Sequence, residues 1–118
     1  MIPGNQLDEL RERLRSFSNA RDWSEFHDPK NLAMAIASEA GELLATLRWV
    51  SSGASDDFVH DSANRLGVEQ EVADVAIALL LFCDRAGIDL LDAVKRKIDL
   101  NEVNYPVESA KGRSERPA

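Results

Sequence analysis

The sequence predicts an all-α protein, a four-helix-bundle-like fold that assembles as a homo-oligomer. Apolar residues recur at helical spacing in four segments, and no stretch alternates as a strand would. Cap and breaker residues separate those segments. The run "VAIALLLFC", Val75 to Cys83, is apolar all the way round rather than along one stripe, so it must be covered on every side. A bundle of 118 residues struggles to do that alone, and a second copy of the chain is the simplest cover.

Leu7, Leu10, Leu14 and Phe17 step by three and four, which predicts a first helix over about 5–20 with Asn5 as its N-cap. After "RDWSEFHDPKN", Asp28 is placed to cap a second helix over about 29–50, with Pro29 in its first turn. Residues 51–63, "SSGASDDFVHDSA", are rich in Ser, Asp and Gly and read as a loop. A third helix follows over about 63–85, ended by Gly87, and Asp89 caps a fourth over about 90–104. Pro106 stops it, and the tail 106–118 carries too little apolar content to pack, so it is expected to be flexible. The whole chain reads as one domain.

A formal charge of −7 argues against a general nucleic-acid binder, which gains affinity from a basic face. An anionic small substrate would need a metal or a few lysines. No signal-like N-terminus is present and the longest apolar run is far too short to cross a bilayer, so a soluble, unexported, cytoplasmic protein is expected. The single cysteine, Cys83, sits inside that apolar run and fits a buried thiol in a reducing compartment.

The acids are the anomaly. On a helical projection Leu32, Ile36, Leu43, Leu47 and Val50 define the apolar face of the second helix, and Glu39 falls inside it with Glu42 on the flank. Glu71 and Asp74 repeat the three-residue spacing on the third helix, beside Val72, Val75, Leu79 and Phe82. A lone Glu-x-x-Glu is ordinarily a solvated face. Glu39 is on the wrong face for that, and an ionised carboxylate in an apolar interior costs several kcal/mol unless it is paired or neutralised. A hard divalent cation is the economical remedy, and Mg²⁺ suits a few carboxylate oxygens while keeping waters for a phosphate-bearing substrate. A di-iron bundle would want Glu-x-x-His repeats, whereas His27 and His60 both fall outside the predicted helices. On the fourth helix, Asn101 lies among Leu91, Val94, Ile98 and Tyr105, with Lys97 one turn earlier on the flank.

Taken together, "RDWSEFHDPKNLAMAIASEAGELLATLRW", "EVADVAIALL" and "GIDLLDAVKRKIDLNEVNYPV" resemble the MazG-like all-α nucleoside triphosphate pyrophosphohydrolases, most closely the dCTP pyrophosphatase branch, over about 21–107. The resemblance implies a tight homodimer or, favoured here, a dimer of dimers. It implies Mg²⁺-dependent cleavage of a nucleoside triphosphate, dCTP-like or a modified pyrimidine, to monophosphate and pyrophosphate in nucleotide-pool sanitation. It makes Glu39, Glu42, Glu71 and Asp74 the Mg²⁺ site and catalytic set. Glu39, the most desolvated by its position, is expected to accept the proton of the attacking water. Lys97 and Asn101 are implied in phosphate and sugar or base contacts, Trp23, His27 and Trp49 around the nucleoside, and Lys30 at a phosphate near a helix N-terminus. Leu14 stands where the animal dCTP-type relatives have a histidine, and Ala78 where they carry an aromatic. Both departures bear on the base pocket and leave the metal chemistry alone. The competing readings are a catalytically idle nucleotide-sensing or interaction module, which four intact carboxylates disfavour, and a related dUTP or phosphoribosyl-ATP pyrophosphatase.

Overall fold

The computed structural model describes residues 3–114, which hold six α-helices and one 3₁₀ turn and no strand. In order these are α1 (Pro3–Ala20), the turn Ser24–Phe26, α2 (Pro29–Leu47), α3 (Ser52–His60), α4 (Ser62–Ala86), α5 (Leu90–Asn104) and α6 (Val107–Ala110). The chain divides into two compact units, one running to Gly87 and the other starting at Ile88.

In the first unit α4 is the hub, with α2 laid along it and α1 and α3 also packed on it. The buried apolar core is small: Leu32 of α2 with Ala78, Leu80 and Cys83 of α4. Burial pushes the Cys83 thiol up despite the opposing influence of Arg11, which keeps it an unreactive packing residue. Among the described residues no helix is long and apolar enough to cross a membrane.

The helix ends follow local chemistry. Asp28 caps α2 by accepting from the Asn31 backbone N–H at 2.8 Å, with Pro29 at the first position. Asp61 and Asp89 do the same for α4 and α5. Gly87 ends α4 in the left-handed conformation, φ 70°. Asn5 is not the cap of α1, because the helix already starts at Pro3, whose missing N–H costs nothing in a first turn. The other end of α1 closes in a Schellman arrangement. Asp22 takes φ 54°, its N–H donates to the Asn19 carbonyl at 3.2 Å, and the Trp23 N–H returns to the Ser18 carbonyl at 2.9 Å. That reversal sets the Trp23 ring edge-on to Phe17, centroids 5.7 Å apart.

Residues 52–60 correct the predicted loop: they form α3. Ser55, Phe58 and Val59 are partly covered at the three-and-four spacing of a helix, while the polar Asp56 and Asp57 face out. The Asn64 side chain of α4 donates to the Phe58 carbonyl at 3.1 Å and Arg65 to the Val59 carbonyl at 3.3 Å, so the carbonyls at the end of α3 are satisfied by the next helix. α2 also stops at Leu47, three residues short of the expected end. Within the predicted tail, α6 forms one turn after Pro106; residues 115–118 lie outside the described part.

α1 is tied to α4 by charge. Asp84 accepts from both Arg15, through two nitrogens, and Arg11 at 3.3 Å. The Arg15 hydrogen bond, first among the causes, holds the Asp84 carboxyl below its usual range. A carboxylate with a depressed folded pKa adds stability above its unfolded value, about 3.9, and loses it as pH falls through the folded value. Asp84→Asn is therefore expected to lower the thermal midpoint by a few degrees at neutral pH, with the gap to wild type closing in strong acid. Melting curves across that range check this; a gap independent of pH would contradict it.

Candidate metal centre and the adjoining chamber

Glu39 is part-buried in the apolar face of α2, and Glu71 and Asp74 face it from α4. One carboxylate oxygen from each of the three lies within 4.8 Å of the others. Burial first, then the charges of Asp74, Glu42 and Glu39, push the Glu71 carboxyl above its ordinary value. The like charges repel, so a cation placed among them would lower the energy of all of them. The donor set is oxygen only, which suits Mg²⁺ or a similar hard ion and not a zinc site built on nitrogen and sulfur. Glu42, exposed on the flank of α2, is close enough to act on Glu71 but stands outside the trio.

One cavity reaches this cluster and a second shares part of its wall. The smaller, about 290 Å³, has Glu39 and Asp74 in its wall together with Phe26, Asn31 and Ala78. The larger, about 600 Å³, is an apolar chamber between α1, α4 and the turn after α1. His27, Ile77 and Leu81 belong to the walls of both, so the two cavities are neighbours.

Trp23 and His27 line the chamber, and His27 also lines the smaller cavity. Lys30 and Trp49 line neither cavity; Trp49 is 90% exposed beyond the end of α2, with the Arg48 guanidinium 5.8 Å from its ring centre. Lys97 and Asn101 are one turn apart and exposed on α5, in the second unit. Four residues of the first unit were not singled out from sequence. Arg13 and Ser18 line the chamber, Ile77 separates the cavities, and Arg85 donates from α4 to the carbonyls of Ser24 and His27, each at 3.4 Å. Ser18 had a signal: it follows Leu14 by four on the apolar stripe of α1, where a hydroxyl is out of place.

Known proteins match this chain in sequence and fold. The chain is 34% identical over 110 residues to rat dCTP pyrophosphatase 1, covering 93% of this chain and 65% of the relative. Against the human dCTP pyrophosphatase 1 it is 33% identical over 112 residues, 95% of this chain and 66% of that protein. The chain thus spans just under two thirds of the length of these relatives. The crystal structure of a pyrophosphatase from Archaeoglobus fulgidus superposes with a TM-score of 0.80 at 42% identity, covering 86% of this chain and 93% of that one. Residues 34–117, which hold all four acids of the two motifs, match the MazG-like family, and the chain belongs to that family.

Proposed function

We propose that the protein is a Mg²⁺-dependent nucleoside triphosphate pyrophosphohydrolase, cleaving a pyrimidine nucleoside triphosphate to monophosphate and pyrophosphate. The observation that carries this is the convergence of the Glu39, Glu71 and Asp74 carboxylates within 4.8 Å, with Glu39 and Asp74 in the wall of a cavity of about 290 Å³. The relatives named for dCTP make a pyrimidine the first substrate to consider.

Bound among these carboxylates, Mg²⁺ would neutralise them and the triphosphate oxygens and so favour charge build-up at the reacting phosphorus. Glu39 is assigned the proton: it is part-buried and lines the small cavity with Asp74. As a water oxygen bonds to phosphorus at the α–β bridge, that water gives its proton to Glu39, the bridging P–O bond breaks, and its electron pair leaves on the departing phosphate group. Glu42 and Asp74 hold the cluster's charge and orientation. Trp23 and His27 position the nucleoside, and Lys30, Trp49, Lys97 and Asn101 are assigned to the outer phosphate, sugar and base contacts. The test is product analysis with Mg²⁺: pyrophosphate must be the first inorganic product, and orthophosphate in its place would refute the reading.

The same reading includes a dimer of dimers in the cytoplasm. Its support is apolar surface that the first unit leaves open, with Met34 at 53%, Leu44 at 68% and Leu66 at 66% exposure. Light scattering is expected to give four times the chain mass, and Leu44→Lys to lower it; a monomer at micromolar concentration would refute the assembly. The buried, unpaired Cys83 fits a reducing compartment.

A further inference from the structure

The segment that carries Trp23 and His27 is held to its three neighbouring helices by different means. Its link to α1 is the reversal at Asp22, whose φ of 54° is rare for a residue with a Cβ and costs energy. Around that reversal the Trp23 N–H donates to the Ser18 carbonyl at 2.9 Å and the Ser24 hydroxyl to the Asn19 side chain at 2.6 Å. Its link to α2 is the Asn31 side chain, which donates to the Phe26 carbonyl at 3.1 Å. Its link to α4 is one side chain: Arg85 donates from Nη1 to the carbonyls of Ser24 and His27, at 3.4 Å each. Among the described residues no other hydrogen bond joins this segment to α4.

The local sequence leaves a place for that guanidinium. The His27 carbonyl lies one residue before the cap of α2, and the helix begins too late to use it. The Asn31 N–H goes to the Asp28 side chain at 2.8 Å, and the Leu32 N–H to the Asp28 carbonyl at 3.0 Å. Arg85 is the one described partner of the His27 carbonyl, and a cationic donor serves a backbone acceptor better than an amide does. Arg85 in turn makes no ion pair with a described residue, so these two carbonyls are its described polar contacts.

What lies at the two ends of this tether gives it a consequence for binding. About three turns before Arg85, α4 carries Asp74 and, one turn further back, Glu71, whose oxygens meet that of Glu39 within 4.8 Å. The tethered segment places Trp23 in the wall of the chamber and His27 in the walls of both cavities. Arg85 itself lines neither.

We infer, on the pyrophosphohydrolase reading above, that Arg85 is a positioning residue for substrate binding: it fixes Trp23 and His27 at the separation from the acid cluster that a bound nucleotide must span. Trp23 and His27 meet the nucleoside, which does not react, and so hold it equally in the ground state and the transition state. Loosening them weakens binding and leaves the chemical step, built on acids of α2 and α4, in place.

The test is steady-state pyrophosphate release with Mg²⁺ and the full chain, using whichever of dCTP and dUTP the wild type turns over faster. Arg85→Met keeps most of the side-chain length and removes both hydrogen bonds. Arg85 is exposed, so the core is undisturbed. The variant is expected to raise KM by about ten-fold, the scale of hydrogen bonds to a charged group, with kcat within about two-fold of wild type. Guanidinium chloride far below denaturing concentrations should bring the KM of Arg85→Ala back toward wild type, and sodium chloride at the same ionic strength should not. A second readout needs no turnover: with Trp49→Phe, Trp23 is the only tryptophan, and adding Arg85→Met should steepen acrylamide quenching of its fluorescence. A KM that Arg85→Met does not move overturns the inference, as does a loss of kcat at unchanged KM, the mark of a partly unfolded enzyme, or quenching that does not change. In each of these cases wild-type turnover leaves the pyrophosphohydrolase reading standing. If wild type releases no pyrophosphate from either nucleotide, that reading falls and the role of Arg85 in binding falls with it, while quenching still reports whether the tether holds the Trp23 ring.

Discussion

Asp74→Asn and Glu39→Gln are each expected to lower kcat/KM for pyrophosphate release by roughly 10³-fold, with the helical content unchanged. The two acids stand on different helices yet bring oxygens within 4.8 Å of each other and of Glu71. Each substitution keeps the side-chain volume and removes one negative charge. For Asp74, which is exposed, the loss of charge is felt mainly by the ion and the triphosphate, so added Mg²⁺ should recover part of the activity. For Glu39 it should not, because an amide cannot take the water's proton at any metal concentration. Steady-state kinetics over a Mg²⁺ titration separate the two. Equal rescue of both variants would remove Glu39 from the proton-accepting role, and a Glu39→Gln enzyme as fast as wild type would remove it from the site.

Glu71→Gln is expected to abolish turnover and, in the presence of a chelator, to raise the thermal midpoint above that of wild type. Burial and three neighbouring carboxylates push the Glu71 carboxyl up, so the fold holds its proton more tightly than the unfolded chain does. Above the ordinary glutamate range the ionised group therefore opposes folding, and that opposition fades as pH falls through the raised value. A neutral amide removes it at every pH. The gap between variant and wild type in chelator should thus be widest near neutrality and close in acid. Mg²⁺ should reverse the order: a ligand at a hundred times its Kd stabilises the native state by about 2.7 kcal/mol, and wild type, with its full set of carboxylates, should gain more than the variant. Melting curves with chelator and with Mg²⁺ check both halves. A Glu71→Gln protein less stable than wild type in chelator at neutral pH would show that the acids are not mutually repelling.

The helices were legible where local chemistry decides them. Asp28 with Pro29, Asp89 and Gly87 announce starts and stops through groups that act within one turn of themselves. Glu39 was legible for the opposite reason, because a charge inside an apolar stripe conflicts with its own helix and needs a partner from elsewhere. α3 was not legible: with two aspartates, a glycine and two serines in nine residues its composition imitates a loop, and its covered Ser55, Phe58 and Val59 gain their meaning only from packing on α4. Ser18 and Arg13 could not be assigned for a similar reason. They line a cavity between two helices more than 50 residues apart in sequence, and no spacing rule within α1 encodes it. Trp49 is the converse case, a residue prominent in sequence that the fold leaves almost fully in solvent.

α4 presents Asp74 to the acid cluster, Ile77 and Leu81 to both cavities, and Arg85 to the turn carrying Trp23 and His27. On an ideal helix these positions fall within about 80° of one another and span roughly 16 Å along the axis. One straight rod therefore works as a ruler, fixing the acid cluster to the turn carrying Trp23 and His27 without any loop between them, and on the proposed function it spaces the phosphate end of the substrate from its base end. Side chains along this edge are free to drift in evolution, and base preference can drift with them. Its length is not, because a single residue inserted or deleted between Asp74 and Arg85 would swing one end about 100° away from the other. Among descendants of this chain, substitutions should accumulate in this part of α4 while insertions and deletions are confined to the segments outside it.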